Sequence, residues 1–345
     1  MFFKLSGVAL VALRAVVPAL MLLGMPPGLA QAALTRLTVI TGDDRAASAE
    51  FIQQLRDTQA PGARMQVVRL PLEGAPGAAP AAPSAEEEQA ANAGVRTRSL
   101  RGAEGRGNGA YGDALTVAVG PGAARSAIES DSREPLLLTM LSRLQYESLK
   151  DSPGLRREGR RVGVLLCDPS MADQLALVEA ALPERRRLGV VTTADSQPLL
   201  AELERAAGRQ WTLQVATAPD TKSIAGALRG VLSGSDALMV LPDAIGNDQA
   251  ATLAVLHAAA GAGLPVFGAS EGMVRSGGLA AAVATPALMA RQAQAMGQKL
   301  ALAPAGVLVE SAKPASVRVN ANVARGLGLR LPDERELTER VAAPR

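Results

Sequence analysis

Short apolar runs alternate with amphipathic stretches along most of the chain. Residues 37–40 form the first run, and Phe51, Ile52 and Leu55 then recur at the spacing of one helical face. Residues 65–70 form the next run. This order predicts a strand, a helix and a second strand.

The pattern changes in residues 71–112, which are dense in Pro, Ala, Gly, Glu and Arg and contain few large apolar side chains. Such a composition cannot bury enough apolar surface to offset the conformational entropy lost on ordering. We therefore expect a mobile surface insertion here, with at most one helical turn begun by the capping box Ser84 and Glu87.

Strand, turn and helix patterns resume near residue 115. The predicted strands are residues 115–119, 135–141, 162–166, 188–191, 211–215, 237–241 and 266–268, and most are separated by segments with helical apolar spacing. Strands that alternate with helices are typical of parallel sheets covered by helices on both faces. The sequence therefore predicts an α/β fold with two doubly wound units.

The last part of the chain begins with an apolar run, residues 279–284. Thr285 then has the residue type of a helix cap, and Pro286 suits the first helical position. The elements expected after this helix are strands at 307–309 and 317–319 and a short helix from Asn320 to Gly326 or Gly328.

The first residues resemble a secretory leader. Lys4 and Arg14 supply positive charge, residues 15–24 are apolar, and Ala30-Gln31-Ala32 has the small-x-small pattern of a cleavage site. We expect a signal peptide over residues 1–32, cleaved after Ala32, and a periplasmic protein. An uncleaved membrane anchor is the alternative, although proline interrupts the apolar run.

Composition restricts the partners. The chain has 36 basic and 33 acidic residues, a formal net charge of +3, and only 2% aromatic residues. Nucleic-acid-binding proteins concentrate basic side chains on one face, and those that bind single strands add stacking aromatics. We therefore expect no nucleic-acid partner.

Residues for common catalytic sites are sparse. His257 is the only histidine, so a Ser-His-Asp triad would need it as its base, and the single cysteine, Cys167, lies far from the leader and forms no metal-binding spacing. A lipidated N-terminus and an internal disulfide are therefore not expected. Arg125 stands where the dinucleotide motif would continue after Gly120-Pro121-Gly122. We expect no enzyme activity, cofactor or metal.

Polar residues follow several predicted strands at their carboxyl ends, where ligands bind in open α/β sheets. Each also has a structural alternative, since aspartates cap helices, threonines satisfy turns, and a glutamate can simply be solvated. The candidate ligand-binding residues are Thr41, Gly42, Asp43, Gly120, Pro121, Thr192, Thr193, Asp243, Ser270 and Glu271.

A family resemblance covers residues 115–332. Residues 173–183 form a leucine-rich helix ending in Leu-Pro, and Arg187-Leu188-Gly189-Val190-Val191 follows as a basic residue and a Gly-Val strand. This passage resembles ABC transporter substrate-binding proteins of the tryptophan/aromatic amino-acid type. Further matching pieces are Ser235-Asp236-Ala237-Leu238, Pro242-Asp243, Leu264-Pro265-Val266-Phe267-Gly268, Gly277-Gly278-Leu279-Ala280, Val319-Asn320-Ala321-Asn322-Val323-Ala324 and Gly326-Leu327-Gly328-Leu329.

The resemblance implies a type I periplasmic binding protein fold, in which two Rossmann-like lobes close by a hinge on a small solute. Residues 34–183 and 284–345 would form the first lobe, and residues 184–283 the second. The implied function is the periplasmic solute-binding component of an ABC importer, with a polar or amphipathic solute and an inner-membrane permease as partners. We expect a monomer.

The chain departs from this family pattern in two places. Family members usually have a tyrosine or serine in the crossing strand, where this chain has Ala280-Ala281-Ala282-Val283, and the insertion replaces a helix of the first lobe. The few aromatic residues also argue against a stacking cage for an aromatic amino acid. These departures support an alternative: a periplasmic sensor or accessory protein with a degenerate pocket.

Overall fold

The structure is a computed structural model that describes residues 35–42, 45–71 and 114–343. The predicted leader, candidate ligand residue Asp43, and nearly all of the predicted insertion, with its Ser84–Glu87 turn, lie outside the described residues. Among the described residues, no helix is both long and apolar enough to cross a membrane.

Six strands of the described chain form a first sheet in which all neighbours are parallel. Its order is β11-β5-β4-β3-β1-β2. These strands are β1 Arg36–Thr41, β2 Arg64–Arg69, β3 Ala114–Val119, β4 Leu136–Leu141, β5 Arg161–Leu166 and β11 Gly306–Ser311.

A second sheet of six described strands has the order β12-β10-β9-β8-β6-β7. Its neighbours are parallel except for β10 and β12, which are antiparallel. The strands are β6 Arg187–Thr192, β7 Thr212–Thr217, β8 Ala237–Met239, β9 Val266–Gly268, β10 Ala280–Val283 and β12 Ser316–Val319.

Helices cover both faces of the first sheet, so its strands are apolar on both sides. Helices α1 Ala46–Asp57 and α10 Pro286–Leu302 lie on one face, and α2 Pro121–Glu129 and the 3₁₀ turn Pro153–Arg156 lie on the other. In β1, Leu37 and Val39 pack under α1 and α10, whereas Ile40 packs on the opposite face with α2 and the 3₁₀ turn. Helix α3, Arg143–Glu147, follows β4.

The second sheet is covered in the same way. One face packs against α4 Met171–Ala181, α5 Gln197–Ala207, α11 Ala321–Gly326 and α12 Glu334–Ala342. The other packs against α6 Ile224–Leu232, α7 Ala244–Asn247, α8 Gln249–Gly261 and α9 Glu271–Arg275. The predicted α/β class with two doubly wound units is therefore confirmed, and we call each sheet with its helices a lobe.

Several local predictions are also confirmed. The hydroxyl of Thr285 accepts a hydrogen bond from the backbone N–H of Leu288 at 3.3 Å, and α10 begins at Pro286, as the cap pattern predicts. Most predicted strands differ from the observed ones by one or two residues at their ends. The described elements that were not predicted are α3, α7, α9, α12 and two 3₁₀ turns, Pro153–Arg156 and Ala194–Ser196.

The predicted division of the chain does not match sheet membership everywhere. Helix α4 packs on the second sheet, and β12, α11 and α12 do so as well, although residues up to 183 and from 284 onward were assigned to the first lobe. For β12, α11 and α12 the mismatch arises because the chain returns to the second sheet after β11. The backbone N–H of Ala315 donates to the carbonyl of Val283 at 2.7 Å and starts the β10–β12 pairing.

Candidate functional site

Three short segments connect the two lobes, and each begins at the carboxyl end of a strand. Residues 167–170 lead from β5 to α4, residues 284–285 from β10 to α10, and residues 312–315 from β11 to β12. The backbone N–H of Ala312 donates to the carbonyl of Leu166 at 2.9 Å. The carboxyl ends of both sheets therefore adjoin the crossing segments, and this is the edge at which α/β sheets bind ligands.

On the first lobe, the ends of β1, β2 and β3 meet. The carbonyl of Thr41 accepts a hydrogen bond from the backbone N–H of Leu70 at 2.8 Å. A methyl group added to Gly42 would lie 3.9 Å from the backbone nitrogen of Ala123, in the first turn of α2. The structure thus brings candidate residues Thr41 and Gly42 next to the start of α2.

Gly120 makes the turn from β3 into α2. Its φ of +86° with ψ of 170° is a conformation that residues with a side chain avoid, and its N–H donates to the carbonyl of Thr139 at 2.9 Å. Pro121 follows as the first helical residue, and the N-cap position is Gly120, which has no side chain to cap the helix. The candidate pair Gly120 and Pro121 thus opens α2 at the carboxyl edge of the sheet.

On the second lobe, Asp243 is bound entirely within the protein. It is 1% exposed, its Oδ1 accepts from the N–H groups of Ile245 and Gly246 at 2.9 and 3.1 Å, and its Oδ2 accepts from the hydroxyl of Ser196. Burial raises the pKa of Asp243. This candidate ligand residue caps α7 in the structure.

Thr193 belongs to the same buried network. Its N–H donates to Oγ of Ser196 at 3.2 Å, and the two hydroxyl oxygens are also 3.2 Å apart. Thr192 is 0% exposed, and its hydroxyl has no hydrogen-bond partner among the described residues. These candidate residues are therefore buried at the end of β6.

Ser270 and Glu271, in contrast, are exposed at the end of β9. Oγ of Ser270 accepts from the N–H of Met273 at 3.2 Å and caps α9. The Glu271 carboxylate lies 3.3 Å from Arg275 and 3.9 Å from Arg318. Of the candidates on the second lobe, these two remain accessible to a solute.

Strand β4 carries a bulge near this edge. Its register with β5 shifts between Thr139 and Leu141, and Met140 has a φ of +56°, in the left-handed region. Such backbone strain is concentrated at functional sites, and bulges re-aim the end of a strand. Met140, Cys167 and Ala284 each pack against the core on the α10 side of the first sheet, and the backbone N–H of Cys167 donates to the carbonyl of Leu141 at 2.8 Å, so the bulge adjoins the first crossing segment.

Sequence reasoning missed two polar residues at this edge. Ser142 follows β4 and caps α3 in a reciprocal capping box with Gln145. Asp168 lies in the first crossing segment, where burial raises its pKa to about 6, although the N–H of Arg143 donates to it at 3.4 Å. Ser142 directly follows the predicted strand 135–141 and Asp168 lies two residues after the predicted strand 162–166, so the rule that found the other candidates would have found them.

The crossing strand β10 faces the protein interior. Ala280, Ala281 and Ala282 are each 0% exposed, and the carbonyl of Ala282 accepts from the side-chain amide of Gln174 at 3.0 Å. Ala280 and Ala282 pack into one core of the second lobe and Ala281 into the other. In this structure these three positions belong to the cores and not to a solvent-accessible surface.

Residues considered for catalysis are separated from one another. His257 is exposed on α8, and burial raises the pKa of the Cys167 thiol, which disfavours the reactive thiolate. Within residues 35–42, 45–71 and 114–343, no three His, Cys, Asp or Glu side chains are grouped to hold a metal ion.

Comparison with known proteins gives one family. The family model described as ABC transporter substrate binding protein matches residues 152–339, more than half of the chain. No curated protein matches the chain.

Solved structures resemble the chain over nearly its whole length. A ligand-free, open substrate-binding protein with adhesive properties from Clostridium difficile is 15% identical, with a TM-score of 0.60, over 86% of this chain and 96% of that one. A conserved domain protein from Vibrio cholerae is 20% identical, with a TM-score of 0.52, over 89% and 98%. A Streptococcus pneumonia ABC domain in complex with L-Trp is 19% identical, with a TM-score of 0.49, over 87% and 97%. The likeness to the first two, whose TM-scores exceed 0.5, shows the fold, which is the predicted type I periplasmic binding protein fold.

Proposed function

This chain belongs to the family of ABC transporter substrate-binding proteins, and from that premise we propose that it is the periplasmic solute receptor of an ABC importer. The observation that carries the proposal is the set of three crossing segments at the carboxyl ends of both sheets. Two lobes joined there can rotate about the segments and enclose a solute between their polar edges.

The proposed solute is small and polar or amphipathic. On the first lobe, Gly42, Gly120 and Pro121 lie at the first turn of α2, whose N-cap residue is a glycine and whose N–H groups favour a carboxylate or another polar edge. On the second lobe, Ser270 and Glu271 supply an exposed hydroxyl and carboxylate. Thr41, Asp43, Thr192, Thr193 and Asp243 stay predictions as solute contacts.

The remaining parts of the proposal concern location and partners. Export by a cleaved leader would place a monomeric receptor in the periplasm, where it would deliver its solute to an inner-membrane permease without catalysing a reaction. Family membership supports a role in solute binding and delivery to a transporter.

Thermal unfolding with a panel of amino acids and small metabolites tests the proposal. A solute that binds only the folded protein stabilises it by about 2.7 kcal/mol when its concentration is 100 times Kd, and the midpoint of unfolding rises accordingly. We expect one chemical group of compounds to raise the midpoint in a saturable way. Lack of any response across a broad panel would contradict solute reception.

A sensor or accessory role is the second candidate. It is favoured by the burial of Thr192, Thr193 and Asp243 and of the alanines in β10, because these positions then offer few polar contacts to a solute. Crosslinking in whole cells separates the two functions. Capture of permease subunits supports reception, whereas capture of a membrane kinase or envelope complex without a permease supports the alternative.

A further inference from the structure

An ion pair connects the two lobes beside the first crossing segment. The Arg143 guanidinium, on α3 of the first lobe, donates through Nε to Oε2 of Glu202 at 3.1 Å, and a second guanidinium nitrogen lies 3.0 Å from the same oxygen. Glu202 lies on α5 of the second lobe. The two side chains are 22% and 14% exposed, so the pair is largely shielded from solvent.

Further bonds fix both partners. Oε1 of Glu202 accepts from the N–H of Met171 at 3.0 Å, in the first turn of α4, directly after the crossing segment. The backbone N–H of Arg143 donates to the Asp168 carboxylate, within that segment, at 3.4 Å. Arg143 and Glu202 are therefore each tied to the region that must bend when the lobes rotate.

Apolar contacts reinforce the link. Helix α3 is only five residues long and touches both lobes, because Leu144 packs against the second-lobe core that contains Met171 and Leu199. Tyr146 packs against a first-lobe core. Helix α3 is therefore held between the cores and cannot follow a rotation of one lobe without breaking contacts to the other.

We propose that Arg143, Leu144 and Glu202, which we name the interlobe contact, hold the two lobes in the orientation of this structure and so regulate closure on a solute. The link to solute binding rests on the proposed function, whereas the effect on lobe orientation does not. When the lobes rotate apart here, Arg143 and Glu202 each lose their charged partner. A charged group that stays partly buried without a partner is destabilising.

The distance between the lobes, measured by electron spin resonance on solute-free protein, tests this proposal. Spin labels at Glu158→Cys in the first lobe and Arg209→Cys in the second report the orientation, in a Cys167→Ala background. We expect Arg143→Gln and Glu202→Gln each to change the ratio of the interlobe conformers by about tenfold, the factor that corresponds to about 1.4 kcal/mol. The double variant Arg143→Gln with Glu202→Gln should show little change beyond either single variant, because both single changes remove the same ion pair.

Lys299→Gln is the matched control, because it removes an ion pair with Glu310 that lies within the first lobe, and it should leave the distribution unchanged. Circular dichroism shows whether each variant is folded. Unchanged distances in both folded single variants, or a double variant whose change is the sum of the two single changes, would overturn the proposal. The measurement uses no solute, so a negative compound panel would contradict reception alone.

Discussion

The hydroxyl of Ser196 donates a hydrogen bond to Oδ2 of Asp243 and so connects the loop after β6 to the loop after β8. Because Oδ1 of Asp243 also caps α7, one buried carboxyl organises two neighbouring strand ends. Gly246 is required beside it, since an added methyl group would lie 2.1 Å from the carbonyl oxygen of Leu241. The edge of the second lobe is thus built around Asp243.

Asp243→Ala should lower the free energy of unfolding by about 1–3 kcal/mol, because α7 loses its cap and the buried Ser196 hydroxyl loses its acceptor. Asp243→Asn, which keeps an oxygen for the cap, should cost less. Urea denaturation measures both. Asp333→Ala removes an exposed cap, that of α12, and should cost about 1 kcal/mol. Equal losses at Asp243 and Asp333 would contradict the role of the buried network.

Asp168 should make stability depend on pH. Burial raises its pKa from 3.8 to about 6, so the folded protein binds more protons than the unfolded chain between these values. Stability therefore falls as pH rises through this window, by at most about 3 kcal/mol. Asp168→Asn removes the ionisable group, and its free energy of unfolding relative to wild type should increase from pH 4 to pH 7.

Denaturant titrations at several pH values provide this measurement. Asn322→Ser, at an exposed position without an ionisable side chain, is the control, and its difference from wild type should stay constant with pH. A difference between Asp168→Asn and wild type that stays constant from pH 4 to pH 7 would refute the prediction.

Gly120→Ala should be destabilising by about 1–3 kcal/mol, because a side chain is forced into a backbone conformation that it avoids. Gly122→Ala, two residues later in α2, is the matched control. An added methyl group there has no atom of the described residues within 4 Å, and the change should be neutral or stabilising by up to about 1 kcal/mol. Thermal unfolding of both variants checks the contrast, which similar midpoints would contradict.

Glu271→Gln should weaken binding of the solute identified by the compound panel about tenfold if Glu271 contacts it. The free energy of unfolding should change by less than about 1 kcal/mol, because the ion pairs of Glu271 are exposed. Isothermal titration calorimetry measures the affinity. Glu204→Gln, at an exposed position on α5, should leave it unchanged. Equal affinities for Glu271→Gln and wild type would remove Glu271 from the site.

Local patterns predicted most of the strands and helices, because buried parallel strands and amphipathic helices each require apolar residues at a characteristic spacing. Thr285 and Pro286 show how local such information is, since cap and first turn depend on neighbouring residues only. The missed helix α12 carries a comparable signal in Asp333 and Glu336. Its apolar side chains Leu337 and Val341 are few, and this explains the omission.

By itself, then, the sequence determined the α/β class, the alternation of elements and the edge at which polar residues collect. Only the tertiary structure decided that β12 joins the second sheet, because a four-residue strand does not specify which partner it pairs with. It also decided that Asp243 is buried while Glu271 is exposed. The physical reason is that a polar group at a strand end becomes a cap or a solute contact according to the groups that other parts of the chain place beside it, such as Ser196 beside Asp243.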